Sequence, residues 1–250
     1  MTSNTVDVDV TLMRNVSGTL CCDSSSLSPP SRLQAFPVDA NHSEWRHRVS
    51  RLQRAYLSRL AKAIDQRGAP SSTTGGDTLS LVLFNDAFSK ESGARCLDGT
   101  PSGYYIRKVA SNSPNEGRWI VYLQGGGLCV EPADCLQRSK SDRGSSNKWG
   151  ATRTVGTNGA EDLLSASSDN PFSDWNHVFV SYASGDTWTG TRREPTLATA
   201  GLYFAGHLTL RAVVSHLKET QGLKEATHLM LSGGSAGGIG VFNNADFFVS

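Results

Sequence analysis

Short apolar runs alternate with longer polar, glycine-containing segments along the chain from about residue 78 onwards. Apolar runs of about four to eight residues, rich in β-branched and aromatic side chains, are typical of strands. We therefore predict five strands, at residues 79–84, 104–109, 119–123, 177–182 and 228–231.

The last two of these strands are separated by a segment with helical periodicity, TAGLYFAGHLTLRAVVSHLKETQG at residues 199–222. One apolar stripe runs along this segment, formed by Leu202, Ala205, Leu210, Val213 and Leu217. Glycine commonly ends a helix, so we predict that this one stops at Gly222. A strand, a helix and a strand in this order form a βαβ unit, which predicts a parallel sheet with a right-handed crossover.

The pattern is different upstream of the strands. Residues 1–40 are rich in Ser, Asp and Pro, which predicts a disordered or irregular segment. Residues 41–68 are predicted to form an amphipathic helix with a basic outer face, which either docks on the domain or lies on a membrane surface. Residues 69–77 have the composition of a linker. Residues 78–250 then form the α/β domain.

Composition and charge exclude several classes of function. The formal net charge of +1 gives no electrostatic basis for binding nucleic acid. No apolar run reaches the length of about 18 residues that a membrane span needs. The start, MTSNTVDVDVTLMRN, has no basic end followed by an apolar stretch, so no signal peptide is visible.

The five cysteines show no spacing suited to zinc, and we predict no metal and no cofactor. Cys129 and Cys135 close a short loop, CVEPADC. This pair forms a small disulfide in an oxidising compartment or remains two free thiols in a reducing one.

A serine between glycines is the first candidate for chemistry. The stretch LSGGSAGGIG, residues 231–240, matches G-x-S-x-G around Ser235. A strand precedes it and a helical segment follows, which is the setting of a nucleophile elbow. Gly233 and Gly237 would then be needed because side chains would clash across the bend, and the amide of Ala236 could donate to an oxyanion. The alternative is a flexible glycine-rich turn.

A second glycine cluster, Gly125 to Gly127, follows the strand at 119–123. Its backbone amides could supply the remaining oxyanion donors beside the serine. A phosphate-binding loop is a weaker alternative, since no G-K-S/T follows, and a plain turn is another.

Four blocks carry a resemblance to a known family. CLDGTPSGYYI (96–106), VYLQGGGLC (121–129), SYASGDTWTG (181–190) and LSGGSAGGIGVFNNAD (231–246) resemble the pectin acetylesterase/Notum family, in that family's order. The resemblance implies an α/β-hydrolase fold with a mostly parallel sheet and helices on both faces. It also implies secretion, and a serine carboxylesterase that removes an acetyl or longer acyl group from a polysaccharide or a protein.

The resemblance also assigns residues. Ser235 matches the nucleophile, and Gly126, Gly127 and Ala236 match the oxyanion donors. Cys129 and Cys135 match a disulfide of the family.

Three departures from the family pattern affect these assignments. Leu128 stands where plant members have Trp, which alters the wall of the cleft. Ala183 replaces the cysteine that would pair with Cys96, so Cys96 is expected to be unpaired. In this fold the triad runs Ser, Asp, His along the chain, yet all six histidines precede Ser235: His42, His47, His177, His207, His216 and His228.

We read each of these histidines as structural, and expect the chain to be a truncated piece that is inactive alone. The alternative to an enzyme is a non-catalytic acyl- or carbohydrate-binding protein that kept the pocket and lost the triad.

Overall fold

The computed structural model describes residues 10–15, 76–155 and 162–249. The strands are β1 Val10–Asn15, β2 Thr78–Leu83, β3 Gly103–Arg107, β4 Arg118–Leu123, β5 Thr152–Thr154, β6 Asn176–Val180 and β7 His228–Gly233. The α-helices are α1 Asp86–Ser92, α2 Pro132–Arg138, α3 Gly206–His216 and α4 Ala236–Val249. All five strands predicted from the apolar runs are therefore confirmed, with bounds that move by at most two residues.

The strands form one mixed sheet in the order β1-β7-β4-β6-β3-β2-β5. Only the central pairs β7–β4 and β4–β6 are parallel, and the other four described pairs are antiparallel. The α/β class is confirmed, but the expectation of a mostly parallel sheet is wrong for these strands. Apolar runs mark strands without encoding direction, and parallel pairing is confined to strands with long connections between them.

One face of the sheet carries the main core. Alternate side chains of β4, including Trp119 and Val121, pack with Val178 of β6 and with Val213 of α3 and Val241 of α4. Both described helices longer than ten residues thus cover the same face. An arrangement with helices on both faces stays a prediction for the rest of the chain.

The predicted crossover helix is present but begins later than expected. α3 starts at Gly206 and continues into one π-helical turn, Leu217–Gln221, before Gly222 adopts a left-handed φ of 88°. Leu202 and Ala205 are buried ahead of the helix, where Tyr203 N donates to the carbonyl oxygen of Leu97. Their spacing matched a helix although they belong to a buried loop.

The predictions for the segments upstream of residue 69 have two different outcomes. Within the expected irregular segment 1–40, residues 10–15 form β1, which pairs antiparallel with β7 from Val10↔Gly233 to Asn15↔His228. The stretch VTLMRN has no regular alternation of polar and apolar residues, and pairing with a sheet edge decides its conformation. The predicted amphipathic helix at 41–68 lies outside the described residues. Among those described, no helix combines the length and apolarity needed to cross a membrane.

Candidate active site

Ser235 lies in a sharp turn between β7, which ends at Gly233, and α4, which begins at Ala236. Its backbone φ is 53°, a left-handed value that few residues other than glycine adopt. Such strain persists where the surrounding structure imposes it, and it is concentrated at functional sites. The predicted strand–turn–helix setting and strained serine are both confirmed, and the side chain is only half-buried.

The two elbow glycines have no room for a side chain. A Cβ on Gly233 would meet the carbonyl oxygen of Gly237, and a Cβ on Gly237 would overlap the carbonyl oxygen of Leu123. Gly233 therefore permits the bend itself, whereas Gly237 permits α4 to approach the end of β4.

The loop Gly125 to Gly127 meets the elbow directly. β4 and β7 are parallel neighbours, so their carboxyl ends lie at the same edge of the sheet. A Cβ on Gly125 would overlap the carbonyl oxygen of Gly234 and lie 3.1 Å from the Cβ of Ser235. Gly126 and Gly127 follow with φ values of 145° and 70°. The structure thus brings together the two motifs that the sequence singled out separately.

Three backbone donors near Ser235 are available. The amides of Gly126, Gly127 and Ala236 donate no hydrogen bond to any other residue that the structure describes. Ala236 is also the first residue of a 14-residue helix, whose N-terminal end carries partial positive charge. Their role as oxyanion donors stays a prediction.

The cysteines beside this loop form the predicted bridge. Cys129 and Cys135 are disulfide-bonded, with Cα atoms 5.2 Å apart, and the bond ties the end of the glycine loop to α2. Cys96 is a buried free thiol, and burial raises its pKa to about 12. Ala183 lies next to this segment, its carbonyl oxygen accepting a hydrogen bond from Leu97 N.

The sequence analysis missed a cluster of hydrogen bonds around Asp186. This carboxylate accepts hydrogen bonds from Ser184 Oγ at 2.6 Å, Trp188 N at 3.0 Å and Gly206 N at 2.8 Å. Both Thr187 and Trp188 have left-handed φ values, 54° and 65°. The block GDTWTG contains the signal, an aspartate within a turn that can accept hydrogen bonds from the turn's backbone amides. The sequence analysis uses this block only as part of the family resemblance.

A second missed residue is Arg138, which ends α2. Its Nη1 donates to the carbonyl oxygen of Gly126 at 2.8 Å. No sequence signal distinguishes it from the other arginines, because the contact depends on how α2 folds back on the glycine loop.

The described histidines all bond to groups other than Ser235. His207 Nδ1 pairs with Asn244 Oδ1 at 2.6 Å, His216 Nδ1 with Tyr104 Oη at 2.9 Å, and His228 Nδ1 with Thr227 Oγ1 at 3.1 Å. His177 is buried and its Nε2 contacts the carbonyl oxygen of Phe172 at 2.6 Å.

These four rings are structural, as predicted, whereas His42 and His47 lie outside the described residues. Asp246 lies inside α4 on its exposed side. In the described part of the chain, no three acidic, Cys or His side chains converge on a possible metal position.

The sequence of this chain is similar to those of known proteins. The sequence model of the pectinacetylesterase family matches residues 73–250. Palmitoleoyl-protein carboxylesterase Notum of Schmidtea mediterranea is 36% identical over 163 residues, which cover 64% of this chain and 29% of that protein. Pectin acetylesterase 4 of Arabidopsis thaliana is 35% identical over 173 residues, which cover 69% of this chain and 40% of that protein.

A solved structure is similar as well. The Wnt deacylase Notum from Drosophila matches with a TM-score of 0.57 and 34% identity, covering 68% of this chain and 47% of that chain. The chain therefore spans less than half the length of each of these three relatives.

Proposed function

The chain belongs to the pectinacetylesterase family, and from that premise we propose that Ser235 is the nucleophile of a serine carboxylic-ester hydrolase. The observation that carries the proposal is the left-handed backbone of Ser235 between β7 and α4, in contact with the Gly125 loop. Acyl transfer requires an accessible nucleophile and hydrogen-bond donors for the oxyanion. The half-buried hydroxyl of Ser235 and the nearby amides, which have no other described acceptor, supply both.

The reaction follows from these groups. Ser235 Oγ attacks the ester carbonyl carbon and gives its proton to a general base. The carbonyl oxygen becomes an oxyanion that accepts hydrogen bonds from the amides of Gly126, Gly127 and Ala236. The C–O bond then breaks, and the alcohol leaves with the proton from the base. Water repeats the sequence on the acyl-enzyme, which releases the carboxylic acid and restores the serine.

The general base of this reaction is not one of the four histidines that the structure describes. His177, His207, His216 and His228 each have partners elsewhere in the fold. A base for Ser235 must come within hydrogen-bond reach of Oγ, which excludes these four in this arrangement.

The substrate class is an ester on a polysaccharide or on a protein. The relatives named above act, by their names, on pectin acetyl groups or on a palmitoleoyl-protein. Leu128 and Val130, next to the glycine loop, are 54% and 73% exposed, so they offer apolar surface to an acyl group or to its carrier. The disulfide beside them favours a secreted protein, since such bonds persist in oxidising compartments.

The test uses the full-length gene product that contains this chain. An alkyl fluorophosphonate should modify one peptide, the one carrying Ser235, and aryl acetate should be turned over. The Ser235→Ala variant should lose both, whereas Ser215→Ala, which changes an exposed serine on α3, should keep both. Ester turnover that persists in Ser235→Ala would refute the proposal.

A further inference from the structure

The carbonyl oxygen of Gly126 is held by a guanidinium group. Arg138 Nη1 donates to it at 2.8 Å, and Arg138 Nε donates to the carbonyl oxygen of Arg143 at 3.2 Å. The same guanidinium lies over the ring of Tyr182, with Cζ 5.0 Å from the ring centroid. Tyr182 is fully buried just beyond β6. Two hydrogen bonds and an aromatic face therefore fix the position of this cation.

The Gly126 carbonyl determines where the next amide points. A trans peptide unit is planar, with its C=O and the following N–H directed to opposite sides. Because the Gly126 oxygen faces Arg138, the Gly127 N–H faces away from Arg138. Glycine on both sides of this peptide leaves it free to rotate, since no side chain restricts either residue. An external contact is therefore needed to select one orientation.

A disulfide joins the helix that carries Arg138 to the segment that follows the glycine loop. Cys135 belongs to α2, one helical turn before Arg138, and its disulfide to Cys129 joins that helix to the residues following Gly127. Cys129 N in turn donates to the carbonyl oxygen of Gly185 at 3.1 Å. The helix that carries Arg138 is thus tied to the glycine loop by a covalent bond.

We propose that Arg138 is a positioning residue for the oxyanion hole, holding the Gly126–Gly127 peptide so that the Gly127 N–H faces the acyl oxygen at Ser235. The inference rests on the proposed function, because an oxyanion forms only if Ser235 attacks an ester. Arg138 does not touch the substrate in this scheme, and acts only through the peptide that it orients.

Arg143 provides the matched control. Its guanidinium also packs on Gly126, 2.6 Å from where a Cβ would lie, yet within the described residues its side chain donates no hydrogen bond to the loop. It carries the same charge at the same glycine, and differs from Arg138 in lacking the bond to the carbonyl oxygen. A purely electrostatic effect would appear in both variants, whereas an orienting effect would appear only at Arg138.

The experiment compares Arg138→Met, Arg138→Lys and Arg143→Met in the full-length gene product. Loss of one oxyanion donor lowers kcat by about 100-fold to 1,000-fold in other hydrolases, so we expect Arg138→Met to lower kcat for aryl acetate by about 30-fold or more. KM should stay within about threefold. The affinity for an alkyl boronic acid, which mimics the tetrahedral oxyanion, should fall in proportion to kcat/KM. Arg143→Met should stay within about threefold in all these constants.

Each outcome decides a different point. Absence of Ser235-dependent turnover in the unmodified enzyme would refute the proposed function. Turnover that depends on Ser235 but is unchanged in a folded Arg138→Met variant would refute this inference alone, as would equal losses at Arg138 and Arg143. If Arg138→Met does not fold, Arg138→Lys decides. Its ammonium donates from one point and lacks the planar fork with which Arg138 reaches the two carbonyl oxygens, so an intermediate loss of kcat supports the role and an unchanged kcat overturns it.

Discussion

The indole Nε1 of Trp188 donates a hydrogen bond to the carbonyl oxygen of Gln124, 3.2 Å away. Gln124 immediately precedes the glycine loop, and Trp188 is placed by the bond from its backbone amide to Asp186. The indole also fills the space beside Gly240 of α4, where a Cβ would overlap it. One side chain thus contacts both the strand end before the loop and the helix that follows Ser235.

We therefore expect Trp188→Phe to lower kcat for aryl acetate by about threefold to tenfold. The phenyl ring keeps much of the packing but loses the bond to Gln124, which costs about 1–2 kcal/mol of stability. Trp119→Phe is the matched control, because Trp119 is equally buried and its Nε1 has no hydrogen-bond partner among the described residues. Kinetics and urea unfolding of both variants would separate the two effects, and equal losses of kcat would contradict the prediction.

The disulfide Cys129–Cys135 should contribute about 2 kcal/mol to the free energy of unfolding, since it closes a short loop of six-residue separation. Replacing both cysteines by serine should lower the urea midpoint accordingly and lower kcat, because α2 then holds Arg138 less firmly.

In the native protein Cys96 should resist iodoacetamide at pH 8, since burial raises its pKa to about 12 and leaves almost no thiolate. Peptide mapping checks this, and rapid alkylation of native Cys96 would contradict it.

Stability should fall in acid because of His177. Burial, together with the nearby Arg107 guanidinium, lowers the pKa of this histidine from its ordinary 6.5 to about 4. Above pH 6.5 the ring is neutral in both states. As the pH falls from 6.5 to about 4, His177 becomes protonated in the unfolded chain but stays neutral in the folded chain. This difference lowers the free energy of unfolding by up to about 3 kcal/mol.

Chemical denaturation at pH 7.5 and pH 5.0 measures this loss. A His177→Gln variant removes the titrating ring, so its unfolding free energy should change less between the two pH values than that of the natural protein. An identical change in both proteins would show that other groups are responsible.

The elements close to Ser235 were predictable because their constraints are local. A left-handed serine flanked by glycines, after an apolar run and before a helix, has a sequence signature, and so has a strand that ends in three glycines. The strand at 10–15 was not predictable, since its conformation depends on pairing with β7, more than 200 residues away. The antiparallel direction of the outer strands was not predictable either, because it also depends on pairing between distant segments.

The supporting contacts of the site were missed because they connect distant segments. Arg138 reaches Gly126 only after α2 folds back across the disulfide, and Asp186 reaches Gly206 across 20 residues. Neither residue belongs to a periodic pattern or to a motif with a stated mechanism. The disulfide itself was given only by the family resemblance, since the residues alone left free thiols open.

The contact between α4 and the end of β4 should make Gly237 intolerant of any side chain. A Cβ there would overlap the carbonyl oxygen of Leu123, so Gly237→Ala must displace either the helix or the strand end. We expect a loss of about 3 kcal/mol in the free energy of unfolding, together with lower activity, because the glycine loop follows that strand end. Gly201→Ala is the control: it has open space but a φ of 78°, so it should cost about 1 kcal/mol through backbone strain alone. Urea unfolding of both variants tests the contrast, and a Gly237→Ala protein as stable as the natural one would show that the elbow does not need this contact.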